Sequence, residues 1–120
     1  MAFPTISIKT TNYTVTPGLE SVVHQKFDAL GKFIGEKETA HAEVIFEKIG
    51  DHHSGKIFKM DMNLTVGGKV FYTTATEDQM EHAIDEVRDE IKRKLIHDRT
   101  REQSIMKRGG QRIKQMLRLR

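Results

Sequence analysis

The chain has 120 residues, 37% hydrophobic and 31% charged, with a net charge of +3, which fits one domain with a modest core. It has no cysteine, which excludes a disulfide scaffold, a thiolate metal site and a cysteine nucleophile. No stretch approaches the roughly 18 consecutive apolar residues of a membrane helix, and the opening MAFPTISIKTT lacks the basic-then-apolar pattern of a secretory signal, so a soluble intracellular protein is expected.

Residues 5–11 alternate, with Ile6 and Ile8 between Thr5, Ser7 and Lys9, the period of a half-buried strand. Thr16-Pro17 then reads as an N-cap followed by proline at the first helical position. Leu19, Val22/Val23, Phe27, Leu30 and Phe33/Ile34 follow at the spacing of one helix face, which predicts a helix over about 17–33. Gly31 and Gly35 are candidate stops. Residues 40–48 alternate again, with Ala42, Val44 and Phe46 on one side. A polar turn, residues 50–55, leads to the clearest strand pattern: Phe58, Met60, Met62, Leu64 and Val66 between polar neighbours. Gly67-Gly68 marks a tight hairpin, because glycine takes the positive φ angles such turns need. A fourth strand is expected from Lys69 to about Ala75.

Thr76-Glu77-Asp78-Gln79 fits a capping box, with Thr76 as N-cap. Met80, Ala83/Ile84, Val87, Ile91 and Leu95 continue as one helical stripe. Acidic residues crowd its first half and Lys92, Arg93 and Lys94 its end, an order that suits the helix dipole. Periodicity fades near Arg99, Lys107-Arg108-Gly109-Gly110 reads as a hinge, and residues 111–120 are too few for a stable isolated helix. A tail without fixed structure until it meets a partner is expected. The order β-α-β-β-β-α predicts an α+β two-layer sandwich, a four-stranded mixed sheet with two helices packed on one face.

The charge is unevenly placed. Residues 1–91 hold nine basic against fifteen acidic side chains, and residues 92–120 hold eleven against two. The first part therefore carries −6 and the second +9, an asymmetry that points to a polyanionic partner. Nucleic acid, an anionic membrane surface and an acidic protein all satisfy it. Catalysis finds little support, with no glycine-rich phosphate loop and no serine in a nucleophile-elbow context. The six histidines, at 24, 41, 52, 53, 82 and 97, form no metal-ligand spacing, and neither a metal nor a cofactor is expected. His52-His53 reads as a solvated turn. Nucleic-acid binding is better supported, since Lys and Arg neutralise phosphates with little need for sequence specificity.

A wider pattern is carried by Ile6-Ser7-Ile8, Asn12 and Val15-Thr16, by Lys26-Phe27 and Leu30, by Gly67-Gly68, and by Gln79-Met80-Glu81-His82-Ala83-Ile84-Asp85 with Asp89 and Leu95 beyond. With these residues, positions 5–99 resemble the ribosome hibernation-promoting factor family, also called ribosome-associated inhibitor or sigma-54 modulation proteins. The chain keeps Met80, Ala83, Ile84 and Asp85 of that family's second-helix motif. It departs at Gln79, Glu81 and Glu90, where the family usually has Asp, Tyr and Lys.

The resemblance implies a non-enzymatic stress factor lodged in the small ribosomal subunit. There it would overlap the mRNA path and the A- and P-site tRNA positions, inhibit translation and preserve idle ribosomes. It implies rRNA contacts from Lys26 and Lys32 on the first helix and from Lys92, Arg93 and Lys94 on the second. Charge and placement add Arg88, Arg99 and Arg101, and in the tail Lys107, Arg108, Arg112 and Lys114. Arg88 has the weakest claim, because an intrahelical pair with its acidic neighbours would explain it. The expected organisation is a ribosome-binding domain over residues 1–98 and a basic tail over 99–120. The 29 residues 92–120 are too few for the second domain by which long-form members pair two ribosomes, so a short form that does not pair ribosomes alone is expected. A cytoplasmic monomer away from the ribosome, with no membrane or small-molecule partner, completes the expectation. The alternative is an RNA-binding or RNA-chaperone module acting off the ribosome, and a third class is a protein-interaction module with an acidic partner.

Overall fold

A computed structural model describes residues 5–34, 39–50 and 55–118, with side chains described as far as Arg99. Four strands, β1 (Ile6–Thr11), β2 (Ala40–Lys48), β3 (Phe58–Val66) and β4 (Lys69–Glu77), form one sheet in the order β1-β2-β3-β4. Strand β1 runs parallel to β2, with Ile6 opposite Ala42 and Ile8 opposite Val44. The other neighbours are antiparallel, with Val44 opposite Met62 and Met62 opposite Thr73. Period-2 alternation therefore carries one row across the sheet. Ala42, Val44, Phe46, Met60, Met62, Leu64, Val66, Thr73 and Ala75 are all buried, which fixes register because a one-residue slip would expose the whole set. Gly67 and Gly68 close the β3–β4 hairpin at φ 55° and 84°, the two positive values of a type I′ turn.

Helix α1 (Pro17–Asp28) starts where the sequence places it. The Thr16 hydroxyl accepts the Leu19 N–H at 3.1 Å, and Pro17 occupies the first turn, where its missing N–H costs nothing. The helical path continues to Phe33, but residues 29–33 tighten into a 3-10 turn. That turn keeps Leu30 buried, and Ile34 leaves it in extended conformation, also buried. Gly35 and the turn residues 51–54, including His52-His53, lie outside the described residues. Asn12 ends β1 at φ 52°, and its side-chain amide donates to the Lys48 carbonyl at 3.2 Å, tying the ends of β1 and β2 together. Beside it, Tyr13 packs on Phe46 and Phe58, ring centroids 6.1 Å away in each case, and closes that end of the core.

Helix α2 (Met80–Arg118) lays Met80, Ala83, Ile84, Val87, Ile91 and Leu95 into the same core as the sheet row and Leu19, Val23, Phe27 and Leu30. Two expectations are corrected here. The segment 76–79 is not a capping box: β4 runs on through Glu77 and the first helical residue is Met80, with the Gln79 carbonyl accepting the Ala83 N–H at 3.2 Å. Sheet pairing outweighs local capping, since Thr76 and Glu77 lie opposite Lys59 and Phe58. Second, α2 does not end near residue 98 or break at Gly109-Gly110; its backbone continues as one 39-residue helix. The expected hinge and separate tail segment treat residues 111–120 as an isolated peptide, which must bear the cost of helix nucleation. An extension of a helix already packed on a sheet needs only propagation, about one hydrogen bond per residue fixed. The helix would be ~58 Å long at 1.5 Å per residue, consistent with a molecule 70 Å in its longest dimension.

Each mid-helix glycine costs about 1 kcal/mol relative to alanine. Gly109→Ala with Gly110→Ala should therefore deepen the helical circular-dichroism signal and slow amide exchange over residues 105–118, while the melting of the body stays unchanged. Unaltered exchange in that segment would contradict a continuous helix.

Candidate nucleic-acid interface

With the stripe at 84, 87, 91 and 95 facing the sheet, residues one step around α2 must face α1 and the 3-10 turn, because each residue advances 100°. Arg88 and Lys92 occupy that step, opposite Lys26 in the last turn of α1 and Lys32 in the 3-10 turn. The four cations line a groove of about 490 Å3 together with Gln25, Ala29, Leu30, Phe33 and Asp89. Arg99 extends the same row, its guanidinium 3.5 Å from the Lys32 carbonyl. The Lys32 ammonium sits 5.2 Å from the centroid of the Phe33 ring, a cation–π contact.

Two carboxylates temper this charge. Asp85 takes an ion pair from Lys26 across the helix interface and lies 3.5 Å from the Arg88 guanidinium. Asp89 accepts from Arg88 Nε and Nη2 at 3.1 and 3.0 Å. Arg88 thus makes the intrahelical pairs its neighbours suggest and still lines the groove. The Lys26 and Asp85 side chains are 28% and 40% exposed, so the pair has the modest stabilising value of a solvent-screened contact, about 1 kcal/mol or less. Both carboxylates stay fixed on α2 beside the cations, so they lower the charge the groove presents to an anion without cancelling it.

The run Lys92-Arg93-Lys94 divides between two sides of α2. Arg93 and Lys94 turn to the β4 side of α2, where Arg93 donates to Glu90 at 2.6 Å and Lys94 donates to the Tyr72 carbonyl. They line a second groove with Tyr72, Thr73, Thr74, Glu86, Asp89 and Glu90. Arg101, Lys107, Arg108, Arg112 and Lys114 follow on the α2 backbone, outside the residues whose side chains are described. Sequence reasoning missed Phe33 and Gln25 as groove residues and Asp85 as the link between the helices. Phe33 reads as one more member of an apolar helix stripe, and only the tightening into a 3-10 turn brings its ring to the groove.

At the other end of α2, His82 Nδ1 and Asp78 Oδ1 are 2.9 Å apart. The hydrogen bond to Asp78 raises the His82 pKa above its ordinary 6.5, and the same bond lowers that of Asp78 below 3.8. For Tyr13, burial and then the Glu81 charge push the phenol up, so it stays protonated. Among the described residues, no three His, Asp or Glu side chains form a group that could hold a metal, and no helix is long and apolar enough to cross a membrane.

The sheet, the two helices on one face and the groove between them define a small α+β domain with a cationic helical face. The chain belongs to the sigma 54 modulation protein / S30EA ribosomal protein family, whose model matches residues 6–103. Solved structures support the same fold. The N-terminal domain of Thermus thermophilus Protein Y superposes with a TM-score of 0.63 at 15% identity, over 74% of this chain and 91% of that one. A ribosomal subunit interface protein from Coxiella burnetii gives 0.62 at 16% identity, over 79% and 97%. No curated protein matches the sequence.

The His82 contribution to stability is present below pH 6.5 and is lost as pH rises through its raised folded value. That of Asp78 is present above 3.8 and is lost as pH falls through its lowered folded value. The pair therefore supports the fold between the two titrations. Asp78→Asn should move the His82 titration, followed by NMR of the imidazole, back down toward 6.5, and an unmoved midpoint would show that the bond is not formed in solution.

Proposed function

We propose that the chain is a ribosome hibernation factor. It binds the small ribosomal subunit at the mRNA and tRNA channel, in the A- and P-site region. It inhibits translation by occupying that space and preserves idle ribosomes under stress, in the cytoplasm and without catalysis. The observation that carries this reading is the gathering of Lys26, Lys32, Arg88 and Lys92 from two separate helical segments into one groove. Cations so placed neutralise successive backbone phosphates, and a helical face reads RNA by shape and charge. Membership of a ribosomal-protein family and the fold of a ribosomal subunit interface protein favour rRNA as the polyanion. The chain carries rRNA contacts in the groove row, Lys26, Lys32, Arg88, Lys92 and Arg99. The basic residues beyond, from Arg101 to Lys114, add attraction over a longer path.

Lys32 and Lys92 are exposed, so Lys32→Gln with Lys92→Gln leaves the core untouched. In cosedimentation with purified small subunits, the pair should weaken binding and reduce the slope of log affinity against log salt by about 2, one unit for each lost phosphate contact. Equal affinity and slope would reject the groove as the rRNA site. Truncation after residue 98 should likewise weaken binding and flatten the salt dependence. If it leaves both unchanged, the C-terminal basic segment has no part in binding. In sucrose gradients from starved cells the protein should travel with ribosomal particles. Recovery only in light fractions would favour an RNA chaperone acting off the ribosome.

A further inference from the structure

The groove has apolar lining residues that phosphate binding does not use. Ala29, Leu30 and Phe33 line it together with Lys26, Lys32, Arg88 and Lys92. Phe33 is half-buried, held against the core on one side and open to the groove on the other. A duplex presents phosphates and ribose to a protein and keeps its base faces stacked inside, so it has nothing to place on a ring. An unpaired nucleotide has a free π-face, and stacking on an aromatic side chain is a recurrent way of holding one. Gln25 and the Asp89 oxygen that Arg88 leaves free supply acceptors in the lining, suited to the amino group of a base.

We propose that this groove seats an unstacked nucleotide of single-stranded RNA, its base on Phe33 and its flanking phosphates on the surrounding cations. The inference rests on the RNA-binding reading above and narrows it from any RNA surface to an unpaired segment. Lys32 now lies over the Phe33 ring. On binding, the base takes the ring and the exposed Lys32 ammonium turns to the adjoining phosphate.

The test measures affinity by fluorescence anisotropy for a single-stranded RNA of about a dozen nucleotides and for a duplex of the same sequence. Wild-type protein should prefer the single strand about tenfold or more, the scale of one stacked base. Phe33→Leu keeps apolar volume but removes the ring; it should lose roughly that factor for the single strand only, with the salt slope unchanged. Phe33→Tyr should bind as wild type. Ala29→Leu fills the groove from an exposed position without touching the core, and should also weaken single-strand binding. Its result stands even if Phe33→Leu lowers the unfolding midpoint. Equal affinity for single strand and duplex, or single-strand binding unaltered in both Phe33→Leu and Ala29→Leu, overturns the proposal. If binding survives those variants but falls with Lys32→Gln and Lys92→Gln, the base seat alone is wrong. If it is indifferent to all of them, the interface reading fails as well.

Discussion

The structure depends on the burial of one stripe of α2. Ile84, Val87, Ile91 and Leu95 share a single core with Met60, Met62 and Leu64 of the sheet and with Val23 and Phe27 of α1. Burial of such side chains, each worth about 1.5–3 kcal/mol, fixes the rotation of the helix about its axis. Once that rotation is set, the charges that flank the stripe have fixed destinations. Arg88 and Lys92 must meet α1, and Arg93 and Lys94 must meet β4. The cationic groove is thus a consequence of core packing rather than a separate design added to it.

The charge pattern gains a second meaning from this geometry. Asp85 and Asp89 sit among the cations, where a purely attractive surface would have none. They hold the guanidinium and ammonium groups in place in the free protein through solvent-screened pairs. The groove, with four cations to Asp89 in its lining and Asp85 beside it, keeps an excess of positive charge without the mutual repulsion that four unpaired cations would bring to one helix interface.

Much of the fold was legible because strong local rules agreed with the tertiary outcome. The alternation from Phe58 to Val66, the glycine pair at 67 and 68 and the Thr16-Pro17 start each have one structural solution, and the structure adopts it. The start of α2 falls later than the capping pattern of Thr76–Gln79 suggests because Thr76 and Glu77 pair with β3, and only the partner strand decides. Its length was misread because helix stability depends on what precedes a segment as much as on its own residues. For the interface, the charged residues themselves were visible, but their grouping was not. Lys92 and Lys94 are adjacent in the run yet about 200° apart on the helix. Lys32 and Phe33 are aimed by a 3-10 turn that no short motif announces.

The continuous backbone of α2 makes the molecule a ruler. From Lys92 to Arg118 is a fixed span of ~40 Å at 1.5 Å per residue, so the groove and the distal end of the helix sit at one separation and on one axis. A partner that engages both must offer two anionic stretches at that distance, and the second contact then forms at high effective concentration once the first is made. For a partner that did touch both, the length of one helix, rather than any base sequence, would set which spacing of charge is accepted.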